Sequence, residues 1–192
     1  MLRKFIGKPT ESALSYAARF LHRRGITPNL LTITGLVLNF AGAYCYYAGA
    51  WAAGGFVVLA AGLFDMLDGA VARAGNAASP LGAFTDSVVD RYSDFIVFGG
   101  LLAHFAAEGD LLHTLLVLVV IMGAYQISYI RARAELVIPR CDVGLMERPE
   151  RIILLGAGSL FGFVVPALWL LAFLTHLTAF HRIYFTFKAG RR

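Results

Sequence analysis

The chain has 192 residues and a formal net charge of +5, and it is 58% hydrophobic and 15% charged. A soluble domain runs at about 45–50% and about 25%. With a mean hydropathy of +0.68, these proportions exclude a disordered chain, a collagen-like chain and a nucleic-acid-binding module, and they fit an ordinary soluble α/β enzyme poorly. Six helices at ~20 residues per span would use nearly the whole length. The expected fold is therefore an all-α integral membrane protein with little chain left for anything else.

The N-terminus carries Arg3, Lys4 and Lys8, with no uninterrupted apolar run before Glu11, so it does not read as a signal peptide. Residues 10–24 read as an amphipathic helix. Leu14, Ala17, Ala18 and Leu21 fall at helical spacing, with Arg19, Arg23 and Arg24 on other faces. Such a helix lies in the headgroup region. This divides the chain into a juxtamembrane segment, residues 1–25, and a six-helix transmembrane domain, residues 26–192. Apolar helices are predicted over 28–49, 51–76, 81–107, 111–134, 148–165 and 167–188. The breakers between them are Gly49, Ser79 with Pro80, Gly109, Pro139, Gly144 and Pro166. Cys45 in an apolar run and Cys141 in a basic loop suggest no disulfide framework.

Charge orients these spans. All 17 Lys and Arg residues fall on one side: before the first span, around the 2–3 and 4–5 connections, and at the C-terminus. The connections near Trp51, Glu108–Asp110 and Pro166 carry none. The positive-inside rule then puts both termini in the cytoplasm, with Trp51 and Trp169 anchoring at the opposite interface.

Against this background the acids stand out. Asp65 and Asp68 lie near the cytoplasmic end of the second span, and Asp86 and Asp90 near the start of the third. Spacings of three and four put each pair on one helical face. The Ser79–Pro80 turn is expected to make the two helices antiparallel neighbours, so the four carboxylates converge. Four like charges at a bilayer edge repel and are costly to desolvate, so they take up protons or cations. Oxygen ligands without His or Cys favour Mg²⁺, Mn²⁺ or Ca²⁺ over zinc. Gly69, Ala72 and Gly82 leave bare helix surface beside them, and Arg73 offers a bidentate phosphate donor. Together these residues read as a diphosphate site facing the cytoplasm.

The run Asp65, Asp68, Gly69, Ala72, Arg73, Gly82, Asp86 and Asp90, at these spacings, resembles the complete motif of the CDP-alcohol phosphatidyltransferase family. The resemblance implies transfer of a phosphatidyl group from a CDP-linked lipid to an alcohol, with release of CMP. It implies two ions, Mg²⁺ or Mn²⁺, held by Asp65, Asp68, Asp86 and Asp90, with Asp90 as general base for the acceptor hydroxyl. Asp68, Gly69, Ala72, Arg73 and Gly82 match nucleotide-lining positions. Asn29 and Thr32, after Thr27–Pro28, resemble the family's entry to the first span, near the nucleotide. A homodimer is implied by the same resemblance.

The acceptor is read from the 4–5 region. Arg131, Arg133, Arg148 and Arg151, with Arg182, are expected to form a cationic patch beside the acids, suited to a second phosphate brought by a phosphorylated polyol. The stretch is similar to prokaryotic phosphatidylinositol-phosphate synthases, which implies inositol phosphate as acceptor and Ser128, Arg131, Arg133, Arg151 and Arg182 as its binding residues. Glycerol 3-phosphate is the alternative. Asp94 reads as a supporting carboxylate or as an ion-pair partner of Arg91 or Arg131. The five histidines form no ligand cluster and read as non-catalytic. A cation transporter would place its acids near the midplane in broken helices or repeated halves, and neither feature is present.

Overall fold

In the computed structural model residues 7–77 and 79–190 are described, with side chains from residue 13 onward. Arg3, Lys4, Arg191, Arg192 and the Lys8 side chain, all counted in the charge asymmetry, lie outside the described residues. Those residues form seven helices and no strand: α1 Gly7–Arg23, α2 Pro28–Tyr47, α3 Trp51–Ala74, α4 Pro80–Ala107, α5 Leu111–Ala134, α6 Arg148–Leu160 and α7 Val164–Ala189.

Local chemistry sets the ends. Gly25, Gly49 and Gly109 take positive φ values of 77°, 74° and 72° between helices, a region costly for any residue with a Cβ. Thr27 caps α2 by accepting from Leu30 N, with Pro28 at the first helical position. Ser79 caps α4 by accepting from Gly82 N at 3.0 Å, ahead of Pro80. Asp110 caps α5 by accepting from His113 N at 3.2 Å. Such caps satisfy N–H groups that have no partner inside the helix.

The break between the last two helices differs from its predicted place. The chain turns at Phe161–Phe163, with Gly162 at φ 76°, and not at Pro166. Pro166 lies in the first turn of α7, where its missing N–H costs no hydrogen bond. The helix predicted over 148–165 therefore stops at Leu160. At 13 residues it rises only about 20 Å.

Six helices close a ring. α2 packs on both α3 and α4, α3 on α6, α6 on α7, α7 on α5, and α5 back on α4. The expected antiparallel pairing of α3 with α4 is thus corrected: α2 lies between them, because its Gly and Ala positions let both neighbours approach. Gly100 of α4, for instance, lies against the backbone of Ala43. On the far side of α3, a Cβ at Gly55 would sit 2.6 Å from the Gly156 carbonyl oxygen of α6, so these two helices also cross at backbone distance. Tyr46, Val58, Val97, Leu101, Val117, Leu155, Leu168 and Leu171 fill the interior. The Leu14–Ala18–Leu21 face of α1 packs on Phe64, Leu67, Ala70 and Val71 of α3.

The outside is apolar too. On α2 the exposed residues Ile33, Val37, Phe40 and Tyr44 form a stripe at helical spacing, and the other long helices carry similar ones. Helices apolar inside and outside belong in an apolar solvent. Helices α2, α3, α5 and α7 are long and apolar enough to cross a membrane. This is an integral membrane protein.

Candidate active site

Asp65 and Asp68 sit in the last three turns of α3, and Asp86 and Asp90 in the first three turns of α4. Asp65, Asp68 and Asp86 each turn one carboxylate oxygen into a common volume, with those atoms all within 4.8 Å of one another. A hard divalent cation with oxygens at about 2.0–2.6 Å reaches ligands up to about 5 Å apart. The three oxygens, with no nitrogen or sulfur among them, fit such an ion. Thr32 Oγ1, in the first turns of α2, donates to Asp68 Oδ2 at 2.6 Å. That bond fixes the buried carboxylate beside the cluster.

Asp90 is held differently. Its Oδ1 receives Arg148 Nη1, which also pairs with Asp65 Oδ2, and its Oδ2 lies 3.5 Å from Arg91 Nη1. The structure therefore brings three of the four motif acids into one group and ties the fourth to them through a guanidinium.

The small residues of the motif face open space. A Cβ at Gly69 would meet only Arg73 Nη1, at 3.4 Å, and one at Gly82 only Ser79 Oγ, at 3.2 Å. Among the described residues no other helix comes within 4 Å of a Cβ at either glycine, so their smallness serves the cleft and not the bundle. Arg73, near Gly69, is exposed and Ala72 half-buried, and Asn29, one turn before Thr32, is exposed.

The arginines form the opposite wall. Arg151, one turn into α6, is buried. Its Nη2 pairs with Asp94 Oδ2, and its Nη1 donates to the Met146 carbonyl at 3.3 Å. Arg182 of α7 is 2% exposed. It donates from Nε to the Val143 carbonyl at 2.8 Å and from Nη1 to the Ile127 carbonyl at 2.7 Å, and its Nη2 lies 3.6 Å from Glu147 Oε1. Arg131 reaches Glu135 at 3.0 Å, Asp142 at 3.2 Å and the same Glu147 oxygen at 3.9 Å. Ser128 Oγ accepts from Arg91 Nη2 at 2.9 Å. Arg133 is exposed, about 200° round α5 from Arg131, and joins none of these pairs among the described residues. Asp94 pairs with Arg148 and Arg151, and not with Arg91 or Arg131 as its position suggests.

Arg148, expected in the cationic patch, instead bonds Asp65 and Asp90 directly, and Arg91, expected at Asp94, instead lies against Asp90 and Ser128. The signal for Arg91 was its place next to Asp90; for Arg148 it was the spacing of three to Arg151, which puts both on one face of α6. Residues 135–147 brace this wall. Leu145 N and Met146 N both donate to Thr178 Oγ1, at 3.2 and 3.1 Å, and Ile138 and Cys141 bury against Ala134. Beside the acids, Leu59, Gly62, Leu63, Met66, Ile152 and Ile153 line a shallow groove of about 120 Å³ between α3 and α6, with Asp65 and Arg148 at its polar end.

A family model described as CDP-alcohol phosphatidyltransferase matches residues 25–186. An archaetidylinositol phosphate synthase of Pyrococcus horikoshii is 35% identical over 185 residues, 96% of this chain and 95% of that one. A phosphatidylinositol phosphate synthase of Mycobacterium marinum is 44% identical over 178 residues, 87% of this chain and 76% of that one. The crystal structure of the Mycobacterium tuberculosis phosphatidylinositol phosphate synthase with CDP-DAG bound superposes with a TM-score of 0.79 at 36% identity, covering 90% of this chain and 92% of that one. The same enzyme in complex with manganese and citrate gives a TM-score of 0.78 at 35% identity, covering 91% and 88%.

Proposed function

This chain belongs to the CDP-alcohol phosphatidyltransferase family, and from that premise we propose that it transfers the phosphatidyl group of CDP-diacylglycerol, or a related CDP-lipid, to inositol phosphate. The observation that carries the acceptor is the arrangement of the cleft. One wall holds carboxylates suited to a metal-bound diphosphate, and the other holds Arg151 and Arg182, both buried, with Arg131 and Ser128 beside them. A small uncharged alcohol leaves that second wall without a task; a phosphorylated polyol uses it. The relatives named for inositol phosphate products point the same way. In this reading Ser128, Arg131, Arg151 and Arg182 bind the acceptor, while Arg133, expected with them, faces away from that wall.

Asp65, Asp68, Asp86 and Asp90 hold two divalent cations, Mg²⁺ or Mn²⁺, that when bound neutralise the diphosphate and the departing CMP. Asn29, Thr32, Asp68, Gly69, Ala72, Arg73 and Gly82 receive the nucleotide. The glycines let it lie against bare helix, and Arg73 donates to phosphate oxygen. Asp90 takes the proton of the acceptor hydroxyl as its oxygen attacks the lipid-linked phosphorus. The bond from that phosphorus to the CMP oxygen breaks, and CMP leaves with the electron pair. The groove between α3 and α6 takes an acyl chain, its apolar lining continuing from the polar end into the bilayer.

The membrane placement follows the charge. Six helices, α2 to α7, cross the bilayer, with α4 and the short α6 completed by their neighbours in the ring. α1 lies along the headgroups as an amphipathic helix. Both termini and the active site face the cytoplasm, and two chains pair as a homodimer.

The test is CMP release from CDP-diacylglycerol by the protein purified in detergent, with Mg²⁺ or Mn²⁺. Inositol phosphate, glycerol 3-phosphate, free inositol and serine are run in parallel. Release dependent on inositol phosphate is expected. Release with glycerol 3-phosphate alone keeps the transfer and overturns the acceptor.

A further inference from the structure

Two short ladders of charge face each other across the cleft. On α4, Asp90 and Asp94 are one turn apart; on α6, Arg148 and Arg151 are one turn apart. Arg148 pairs with Asp90 and Arg151 with Asp94, rung to rung. The lower rung is saturated on one side only. Arg151 holds Asp94 Oδ2, while Asp94 Oδ1 is buried with no hydrogen-bond partner, and so is Arg148 Nε. These two unpartnered atoms are 3.6 Å apart, one carrying a proton to give and the other a lone pair to receive it. A buried carboxylate oxygen and a buried guanidinium N–H left in this way are each costly.

Meanwhile Arg148 Nη1 lies on oxygens of both Asp65 and Asp90, two of the four acids assigned above to the cations. A guanidinium and a divalent cation compete for these two carboxylates: the charges repel, and Asp65 Oδ2 and Asp90 Oδ1 already accept from Nη1. The backbone does not need to move to resolve this. Pro149 follows Arg148 in the first turn of α6 and restricts both residues' φ and ψ, so only the side chain has freedom.

We propose that Arg148 is a positioning residue with two carboxylate berths, the Asp65/Asp90 pair and Asp94 Oδ1, and that divalent cations at Asp65 and Asp90 send it from the first to the second. This rests on the proposed role of the four aspartates. It adds to that role a fifth aspartate, outside the motif, that receives the displaced charge. In its second berth Arg148 shares Asp94 with Arg151, so cation loading on one wall of the cleft changes the charge balance on the other.

The experiment is Mn²⁺ binding, followed by the electron paramagnetic resonance signal of free Mn²⁺, on the full chain in detergent. Melting of metal-stripped and Mn²⁺-saturated protein is measured alongside. Arg148→Gln removes the competing charge and keeps a donor, so Mn²⁺ affinity rises, about tenfold for one lost charge-assisted contact. The metal-stripped variant melts below wild type, and saturating Mn²⁺ closes that gap. Asp94→Asn weakens the second berth and moves Mn²⁺ affinity in the opposite direction. Unchanged or weaker Mn²⁺ binding by a folded Arg148→Gln protein overturns the exchange and leaves the metal assignment standing. If that variant does not fold, Asp94→Asn decides alone: unchanged or tighter binding overturns the exchange. Absence of Mn²⁺ binding by wild type removes the metal assignment and the exchange with it.

Discussion

Helix α4 lives in two environments. Its first part, the two turns of residues 81–88, is exposed on every face, with Leu81 at 73% and Phe84 at 65%. The longer second part buries Ser93, Asp94, Val97, Phe98, Gly100, Leu101 and Phe105. Composition does not separate them, since Leu81, Phe84 and Val88 are as apolar as Val97, Phe98 and Leu101. What differs is the opposite surface. The second part is gripped by α2 and α5, while among the described residues the first stays exposed. Polar groups follow the same division. Near the far end of α4, His104 Nδ1 is 2.9 Å from the Tyr47 carbonyl oxygen, and Trp51 meets the same ring edge-on. Where the two parts meet, Asp94 Oδ1, and Arg148 Nε and Arg151 Nε across the cleft from it, have no hydrogen-bond partner among the described residues. Stability is built where the ring packs, and chemistry where it is left open and its charges incompletely matched.

The sharpest way to break this comparison is at Asp90, on the boundary between the two parts. Asp90→Asn keeps shape and removes the base. Turnover is expected to fall about 10²- to 10⁴-fold, with calorimetric CDP binding largely kept. Retained turnover would take the base away from Asp90. The counterpart in the packed part is Leu101→Ala. Leu101 is fully buried, and its truncation is expected to cost about 2–5 kcal/mol, read as a lower melting temperature with kcat unchanged below it. If Leu101→Ala instead lowers kcat without lowering the melting temperature, the two parts do not divide as described.

Much of the open part was legible in the sequence, for a local reason. Asp65 with Asp68, and Asp86 with Asp90, are each within four residues of one another, and helical period alone places each pair on one face. Thr32 was legible only through the resemblance, since its bond to Asp68 joins residues 36 apart. Arg148 was legible as a member of a cationic patch, but not as the link between Asp65 and Asp90. Nothing within a few residues of position 148 encodes a partner 58 residues away. The ring order was hidden too, because a short turn suggests neighbours, and the intervening α2 is revealed only by close approaches such as Gly100 to Ala43. The stop of α6 was misplaced because Pro166 is the stronger breaker on paper, while Gly162 with its positive φ makes the turn.

A smaller effect sharpens the division of labour within the arginine wall. Arg182 spends Nε and Nη1 on backbone carbonyls, whereas Arg151 has a buried Nε with no hydrogen-bond partner, so Arg151 has more to offer an acceptor phosphate. Arg151→Ala is expected to raise the acceptor KM about 10- to 100-fold, the loss of one or two charged hydrogen bonds, and to move the CDP-lipid KM far less. The ratio of the two KM values is insensitive to how much protein folds, which matters because the change also strands Asp94. Equal shifts in both would make Arg151 a structural partner of Asp94 and nothing more.

The smallest effect lies at the far end, where polar groups are matched. Hydrogen bonds from His113, first from its ring and then from its backbone N–H, hold the Asp110 carboxyl below its ordinary range. A carboxyl depressed on folding adds stability above its unfolded pKa of about 3.9, and the gain is lost as pH falls through the lower folded value. Asp110→Asn removes the charge and keeps a good cap. The melting temperatures of wild type and variant are therefore expected to differ by a small, constant amount at neutral and mildly acidic pH and to converge below about pH 4. Convergence at neutral pH instead would assign the effect to another group. No change in CMP release should accompany it, because the far end carries the cap of a helix and not the chemistry of the cleft.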